Sequence, residues 1–292
     1  MLSNAGDVLF AELALWDILG KVASLPLYQL WGETCRKVKA YASTSELGSP
    51  EERAEQARHY MERGFLGMKF RIHCDTLRED MEYVDAVVDE VGGQADIMID
   101  ANQATLSVPS PERGPVWDYH RAYVTARELE ERGVLWLEEP LGRWNFEELG
   151  RLTNNVDIYI AGGEKNVGIH EFRWMLEKGC YDILQPDVII SSSVSQVLKV
   201  RSLCEAYHVH FIPHHGISAF GLAANIHLLC SYSGWGYIEY MYDPPYRSIE
   251  TYQCLRGIVT NPIRIDSEGY VAPYSAPGLG VEVDESLIKD FT

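Results

Sequence analysis

Apolar, strand-like runs recur along the chain, and each gives way to a charged or titratable residue. The seven runs read GMKFRIH, DIMIDAN, VLWLEEP, YIAGGEK, DILQPD, HFIPHHG and GYIEY. The residues of interest near their ends, at successive intervals of 23–38 residues, are Lys69, Asp100, Glu138, Glu164, Asp187, His214 and Glu239. That interval accommodates one β-strand, one helix and two short loops, so the pattern predicts a series of βα units.

Segments with helical periodicity separate these runs, at 50–65, 77–93, 119–133, 145–156, 169–179, 194–208 and 219–232. The segment at 77–93, for example, carries Met81, Val84 and Val88 on one face and ends in paired glycines. A further strand, at 38–44, precedes the first helix of the series. Eight strands that alternate with seven helices predict an α/β fold, a TIM-like modified (β/α)7β barrel.

The C-terminal ends of barrel strands form one ring, so residues far apart in the sequence meet around a single pocket. Three carboxylates on consecutive strands provide the oxygen ligands that a hard divalent cation prefers. An Asp, a His and a Glu follow on the later strands, and these residue types serve in acid/base chemistry. The pattern therefore predicts an enzyme with a metal site and proton-transfer groups beside it.

Two regions lie outside the predicted barrel, which occupies 38–240. Residues 1–37 are mostly apolar and helical, and residues 241–292 are rich in Pro, Gly and Tyr and do not continue the βα rhythm. Within the barrel, the loop at 105–119 is unusually long and contains three prolines. It is either a lid that reaches over the pocket or a surface excursion.

Composition and charge exclude several classes of partner. A net charge of −18 argues against nucleic acid or an anionic membrane surface. No apolar run approaches ~18 residues, and the N-terminus lacks the basic stretch of a signal peptide, so neither a spanning helix nor a leader is predicted. The six cysteines are far apart and show no CxxC spacing, which predicts reduced thiols and a cytoplasmic location.

The ordered motifs KFR, DAN, LEEP, GGEK, QPD, PHHG and IEY resemble the mandelate racemase-like branch of the enolase superfamily, in particular its acid-sugar dehydratases. The resemblance extends from about Phe10 to the C-terminus and includes the closing PGLGVEVDE. It implies a Mg²⁺-dependent lyase that abstracts a proton next to a carboxylate and removes water from an aldonate-type sugar acid through an enediolate. The expected partners are this small molecule and further copies of the chain.

The resemblance also implies roles for individual residues. Asp100, Glu138 and Glu164 would be the Mg²⁺ ligands. His214 would be the general acid/base, and Asp187 would hold its other ring nitrogen and raise its basicity.

Further residues are expected at the same pocket. Lys69 matches the first lysine of the family's K-x-K motif, and Glu239 matches its acid at the end of the eighth strand, so both are expected to take part in catalysis. Asn102 and His73 are expected to contact substrate or bound water. Arg71 takes the place of the second K-x-K lysine and is expected to clamp a carboxylate or hydroxyl group.

That last substitution bears on the reaction. The family's second lysine is a base on one face of the substrate, whereas a guanidinium stays protonated and is a poor base. His214 is then the one base evident in the motifs, which favours elimination of water. A racemase, epimerase or cycloisomerase of the same branch is the alternative.

The resemblance implies that the family's N-terminal α+β capping domain is incomplete in this sequence. Residues 1–37 are expected to be its remnant, and residues 241–292 to be the segment that packs toward it. This leaves a second alternative, a truncated non-catalytic barrel with a binding or regulatory role. Uncovered apolar side chains of the C-terminal segment would form an exposed patch, namely Met241, Tyr242, Tyr246, Tyr252, Leu255, Ile258 and Val259.

Overall fold

The computed structural model describes residues 5–105, 114–215 and 217–288. The parallel strands within these ranges are β1 (Val38–Ser43), β2 (Gly67–Arg71), β3 (Asp96–Asp100), β4 (Trp136–Glu138), β5 (Tyr159–Gly162), β6 (Ile183–Leu184), β7 (His210–Phe211) and β8 (Tyr237–Met241). They pair in the order β7-β6-β5-β4-β3-β2-β1-β8. A short strand, β9 (Tyr270–Val271), pairs antiparallel with β1. The sheet therefore has the strand sequence expected of the barrel.

Helices connect successive parallel strands. They are α3 (Pro50–Glu62), α4 (Leu77–Val91), α5 (Tyr119–Glu131), α6 (Phe146–Thr153), α7 (Gly168–Lys178), α8 (Val194–Tyr207) and α9 (Ser218–Cys230). Two N-terminal helices precede them and one follows, namely α1 (Ala5–Ala23), α2 (Leu27–Leu30) and α10 (Glu285–Ile288). The predicted alternation of strands and helices is confirmed, although several elements are shorter than the sequence patterns suggest.

One cluster of side chains fills the interior of the curled sheet. It draws on β1, β3, β4, β5, β6 and β8 and on the residue after β7, and contains Tyr41, Met98, Trp136, Ala161, Ile183, Ile212 and Tyr237. The Tyr41 ring meets Trp136 and Tyr237 edge-on, with centroids 5.3 and 6.0 Å away. A Cβ on Gly67 would lie 2.9 Å from the Met98 methyl and 3.2 Å from the Tyr41 Cβ, so the core packs closely against this glycine. The first and last parallel strands in the chain, β1 and β8, are paired, and the sheet curls around this core as expected for the TIM-like barrel.

Sequence signals set the ends of the barrel helices. Ser49 and Thr76 begin α3 and α4, and each forms a capping box with a glutamate three residues later. Gly92 and Gly179 end α4 and α7 in the left-handed conformation, with φ of 54° and 62°. These stops keep the connections back to the next strand short, which holds the strands in register.

The two ends of the described chain pack against each other and against α9. The Leu27 amide donates to Gly278 O at 3.1 Å, and the Leu279 amide donates to an Asp17 carboxylate oxygen at 2.8 Å. His227 of α9 joins both ends, as Nδ1 accepts from the Tyr28 amide and Nε2 donates to Leu279 O. Whether these segments are parts of an incomplete capping domain stays a prediction at this point.

The expected exposed patch on the C-terminal segment is wrong for several of its members. Met241, Tyr242 and Val259 are buried, and only Tyr246 is strongly exposed, at 63%. Strand β8 runs on to Met241, and the Tyr242 ring stacks on Phe65 with centroids 6.0 Å apart. The barrel itself therefore covers these side chains.

A continuous exposed apolar face lies on α1 instead. Leu15, Ile18 and Val22 recur at helical spacing and are 64%, 55% and 78% exposed, and Phe10 and Leu19 lie beside them at 47%. Such a face is unusual for a helix in water and marks a surface that is normally covered.

In the described ranges, no helix is both long enough and apolar enough to cross a membrane. All six cysteines fall within those ranges, and none of them is joined in a disulfide there.

Candidate active site

Side-chain alternation brings the predicted carboxylates into the barrel. In β3 and β4, Met98 and Trp136 point into the interior cluster, so the residues two positions later do the same. Those residues are Asp100 and Glu138, which are directly paired in the register of the two strands. Both are buried, at 1% exposure each. The C-terminal ends of β3 and β4 thus place two carboxylates side by side at the top of the core.

Lys69 lies among the carboxylates of three strands. Its Nζ is 2.6 Å from a Glu138 oxygen, 3.0 Å from a Glu239 oxygen and 3.7 Å from an Asp100 oxygen. Burial alone would lower the pKa of Lys69, but Glu138 and Glu239 outweigh it and raise the pKa well above its ordinary value. Lys69 is therefore a fixed positive charge at the floor of the site.

The two glutamates beside Lys69 differ in their electrostatics. Burial dominates at Glu138 and raises its pKa to about 7, although its second oxygen accepts from Trp136 Nε1 and Gln185 Nε2 at 3.2 and 2.9 Å. At Glu239 burial is outweighed by Lys69 and His214, so its pKa falls well below the usual range. Glu239 is thus held ionised, whereas Glu138 retains charge at a cost that a bound cation would relieve.

His214 follows β7 and is held by Asp187, which follows β6. The ring donates from Nδ1 to an Asp187 oxygen at 2.6 Å, and the other Asp187 oxygen accepts from the amides of Ile189 and Ile190 at 2.7 Å each. Nε2 lies 2.8 Å from a Glu164 oxygen. Burial would lower the pKa of His214, but the surrounding carboxylates, Glu164 first, raise it well above its ordinary value. The imidazole is therefore fixed with one nitrogen directed toward the site.

The adjacent His215 has a different environment. It donates from Nδ1 to the Glu239 carbonyl at 3.0 Å, and burial lowers its pKa to about 4. A neutral ring tied to backbone has a structural role, so the geometry supports His214 as the residue directed at the site.

Asn102 and Arg71 complete the side of the pocket at β2 and β3. Asn102 takes the left-handed conformation with φ of 49°, and its amide and side-chain nitrogens donate to the two Asp100 oxygens at 2.8 and 2.9 Å. Arg71 bonds to the Asn102 side-chain oxygen and lies 3.6 Å from Asp100. Its Nε donates to Thr44 O at 3.0 Å. Burial acts to lower the pKa of Arg71, but Asp100 and other carboxylates raise it, so Arg71 stays a cation.

Two residues of the site were missed at the sequence level. Lys165 bonds to a Glu164 oxygen and lies 3.9 Å from a Glu139 oxygen. Glu139 is 1% exposed, and its pKa is raised well above the ordinary value, chiefly by burial. The signal was present in the second glutamate of LEEP and the lysine of GGEK, both of which directly follow an expected ligand.

His73 lies at the edge of this arrangement. It is half-buried, and a Cβ added to Gly114 would lie 3.2 Å from its ring, so the His73 ring borders the point where the 105–119 loop returns to the barrel. Burial lowers its pKa. Residues 106–113 lie outside the described residues, so the lid interpretation stays a prediction, as does substrate contact by His73.

The charge balance of the site bears on the predicted metal. Four basic side chains lie at the site, namely Lys69, Arg71, Lys165 and His214. They face a larger set of buried carboxyl groups, namely Asp100, Glu138, Glu139, Glu164, Asp187 and Glu239. Among the described residues, no three His, Cys, Asp or Glu side chains already lie in a geometry that would hold an ion. Two of the predicted ligands are instead paired with other side chains, Glu138 with Lys69 and Glu164 with His214. The clustered oxygen donors fit a hard divalent cation, and such a cation would favour the ionised form of Glu138, whose pKa is raised to about 7 by burial.

Comparison with known families decides the relationship. Residues 52–287 match the family described as Enolase C-terminal domain-like. The chain belongs to this family. The predicted kinship with the enolase superfamily is thereby confirmed.

Named relatives agree with this assignment. The chain is 28% identical over 284 residues to a protein of Saccharolobus solfataricus named arabinonate dehydratase, and the match covers 96% of this chain and 70% of that one. The dehydratase name supports a hydro-lyase as the enzyme class.

Solved structures show the same fold. One is a 3,6-anhydro-D-galactonate cycloisomerase from Zobellia galactanivorans, with a TM-score of 0.83, 27% identity and coverage of 98% of this chain and 75% of that one. Another is an L-talarate dehydratase from Polaromonas sp. JS666 complexed with Mg and L-glucarate, with a TM-score of 0.80, 25% identity and coverage of 95% and 70%. The chain thus spans about three quarters or less of these relatives' lengths.

Proposed function

We propose that the chain is the catalytic barrel of a Mg²⁺-dependent hydro-lyase that removes water from an aldonate-type sugar acid. One observation carries the proposal: Asp187 holds the His214 ring at Nδ1 while Nε2 faces the carboxylates around the buried Lys69. The names of the Saccharolobus relative and of the Polaromonas structure, which holds Mg and a sugar diacid, support the reaction and substrate classes.

The reaction begins with removal of the proton on the carbon next to the substrate carboxylate. This step leaves an enediolate, a dianion that is costly in water. Lys69 is fully buried and fixed by Glu138 and Glu239, so its charge is in place before the negative charge develops. A preorganised cation of this kind stabilises the transition state without reorganisation.

His214 is the proposed proton carrier. Glu164 is the main group that raises the pKa of His214, so engagement of Glu164 by a cation would lower that pKa and allow an unprotonated Nε2. In that state Nε2 takes the α-proton, and the imidazolium then returns a proton to the hydroxyl on the next carbon, whose C–O bond breaks to release water. The enol that remains tautomerises to a 2-keto-3-deoxy acid. Asp187 keeps the Nδ1 proton in place and stabilises the imidazolium, which suits a group that must both accept and donate.

Asp100, Glu138 and Glu164 would hold the Mg²⁺. When bound, the ion supplies Lewis-acid stabilisation of the charge on the substrate carboxylate. Glu138 and Glu164 are paired with Lys69 and His214 in the structure. If both carboxylates engaged a cation, Lys69 would still be held by Glu239 and His214 by Asp187, and both side chains would face the substrate.

Arg71 favours dehydration over racemisation. It stays a cation beside Asp100, so it can bind a carboxylate or hydroxyl group but cannot act as a second base. Cycloisomerisation, the reaction in the name of the Zobellia neighbour, is the alternative, and it gives a product without loss of water.

The proposal also covers the setting of the barrel. The exposed apolar face of α1 supports the view that α1, α2 and the C-terminal segment belong to an incomplete capping domain. Self-association into a homo-oligomer would cover the same kind of surface, and the net charge of −18 is compatible with a cytoplasmic protein that binds neither nucleic acid nor membrane.

The test is turnover of a panel of aldonates and aldarates with and without Mg²⁺. The expected result is Mg²⁺-dependent formation of a 2-keto-3-deoxy acid, lost on chelation. Formation of an isomer with unchanged mass would instead indicate a cycloisomerase or epimerase. Stabilisation by Mg²⁺ with no turnover of any sugar acid would contradict the dehydratase and favour a binding role.

A further inference from the structure

Lys165 is placed between two carboxylates of the site. It follows β5, bonds to a Glu164 oxygen and lies 3.9 Å from a Glu139 oxygen. Its side chain is 31% exposed, whereas those of Glu164 and Glu139 are 8% and 1% exposed. A lysine stem has four carbons and can swing a few ångströms at little cost, so both partners are within its reach.

The backbone of Glu139 is held in place. Its backbone is left-handed with φ of 46°, its amide donates to Ala161 O and its carbonyl accepts from the Gln103 amide, both at 2.9 Å. Within the described part of the chain, neither Glu139 side-chain oxygen has a hydrogen-bond partner. A buried carboxyl with both oxygens unsatisfied is costly and calls for a partner that arrives in another state of the site.

We propose that Lys165 and Glu139 form a relay, in which Lys165 leaves Glu164 for Glu139 when Glu164 engages a divalent cation. In the structure Lys165 and His214 occupy the two oxygens of Glu164, so a cation must displace at least one of them. Glu139 offers Lys165 a prepared second position, and its own unsatisfied oxygens gain a donor by the same movement. Lys165 and Glu139 are positioning residues in this scheme, because they act through Glu164.

The relay rests on the proposed Mg²⁺ site and makes a prediction of its own. If Glu139 receives Lys165, the contribution of Glu139 to Mg²⁺ affinity depends on the presence of Lys165. Partners of this kind behind a metal ligand typically contribute about 10- to 100-fold in metal affinity. A carboxylate that instead binds the cation directly would contribute whether or not Lys165 is present.

The experiment is a double-mutant cycle on Mg²⁺ affinity, measured by calorimetric titration of the full chain without substrate. Glu139→Gln is expected to weaken binding by about 10- to 100-fold in the Lys165 background and to have little effect in the Lys165→Met background. Lys165→Arg keeps a cation and should restore the dependence on Glu139. The matched control is Glu147→Gln, which breaks an exposed Lys178–Glu147 pair of 2.6 Å and should leave affinity unchanged.

Outcomes separate the relay from the metal site itself. Wild type that shows no Mg²⁺ binding overturns both. Wild-type binding with an equal loss of affinity from Glu139→Gln in both backgrounds overturns the relay alone and makes Glu139 a ligand. Affinity that Glu139→Gln leaves unchanged in the Lys165 background also overturns the relay. A crystal structure of the unmodified chain soaked in Mg²⁺ shows the position of Lys165 directly and needs no variant. The relay requires Lys165 Nζ within about 3.2 Å of Glu139, and Lys165 still bonded to Glu164 beside a bound ion would refute it.

Discussion

Asp187 and His214 are joined by a short hydrogen bond, with Asp187 Oδ2 at 2.6 Å from His214 Nδ1. The carboxylate is fully buried, and its second oxygen is anchored by two backbone amides, so it fixes both the position and the tautomer of the ring. The predictions below follow from this pair and from the charges around it.

Asp187→Asn should lower kcat for dehydration by about 100-fold or more, the usual range for loss of a tuned general base. The amide can keep the ring in place but no longer stabilises the imidazolium. KM should change little, because Asp187 does not face the substrate. Steady-state kinetics on the best sugar acid provide the measurement. His208→Asn is the matched control, since it replaces an exposed histidine whose φ of 58° asparagine tolerates.

Mg²⁺ should raise the melting temperature, because a ligand bound only by the native state stabilises it by about 2.7 kcal/mol at a hundred times its Kd. Asp100→Asn and Glu164→Gln should remove this increment and leave a soluble protein. Differential scanning calorimetry with and without EDTA measures it. Asp85→Asn, which breaks only an exposed pair with Arg132, should keep the full shift. An undiminished shift in both site variants would show that the ion binds elsewhere.

The sequence predicted much of this arrangement because strand alternation is strict. Once β3 and β4 are identified, Asp100 and Glu138 must point inward, and the recurrence of the βα unit places them beside Asp187 and His214. Glu139 was not predictable in the same way, since its left-handed backbone breaks the alternation on which the argument depends.

Two other features also depended on packing rather than pattern. The contact of Lys69 with Glu239 joins strands 170 residues apart in the sequence, and its 3.0 Å distance depends on how the barrel closes. The burial of Tyr242 depends on the Phe65 ring, which reaches it from the loop before β2. Neither relationship has a local signature in the chain.

Arg71→Lys should allow epimerisation at the α-carbon, because it introduces an amine that can lose its proton at the second face of the substrate. The wild type should dehydrate without detectable epimer. NMR of recovered substrate distinguishes the two stereoisomers. Arg58→Lys, a change within an exposed pair with Glu90, is the matched control. A wild type that epimerises as fast as it dehydrates would end the one-base interpretation.

His227 should make the protein less stable as the pH is lowered below about 6.5. Burial lowers its pKa from 6.5 to about 4, so below pH 6.5 the unfolded chain takes up a proton that the folded chain excludes. The unfolded state then binds more protons, and the native state should lose about 2 kcal/mol between pH 8 and pH 5 from this group.

Urea unfolding of wild type and His227→Gln at both pH values measures that contribution as a difference. The variant loses the bonds to Tyr28 and Leu279, so it should be less stable at pH 8, and the gap between the two proteins should narrow at pH 5. A His227 ring that titrates near pH 6.5 in the folded protein would contradict the assignment.

The most direct test of the central claim is the fate of the α-proton in D₂O, followed by NMR and mass spectrometry with Mg²⁺ and an accepted sugar acid. If His214 both removes the α-proton and protonates the leaving hydroxyl, wild type should form the 2-keto-3-deoxy acid, and His214→Asn should lose dehydration and α-exchange together. Exchange that persists at the wild-type rate in His214→Asn would contradict the account and direct attention to His73 as the base.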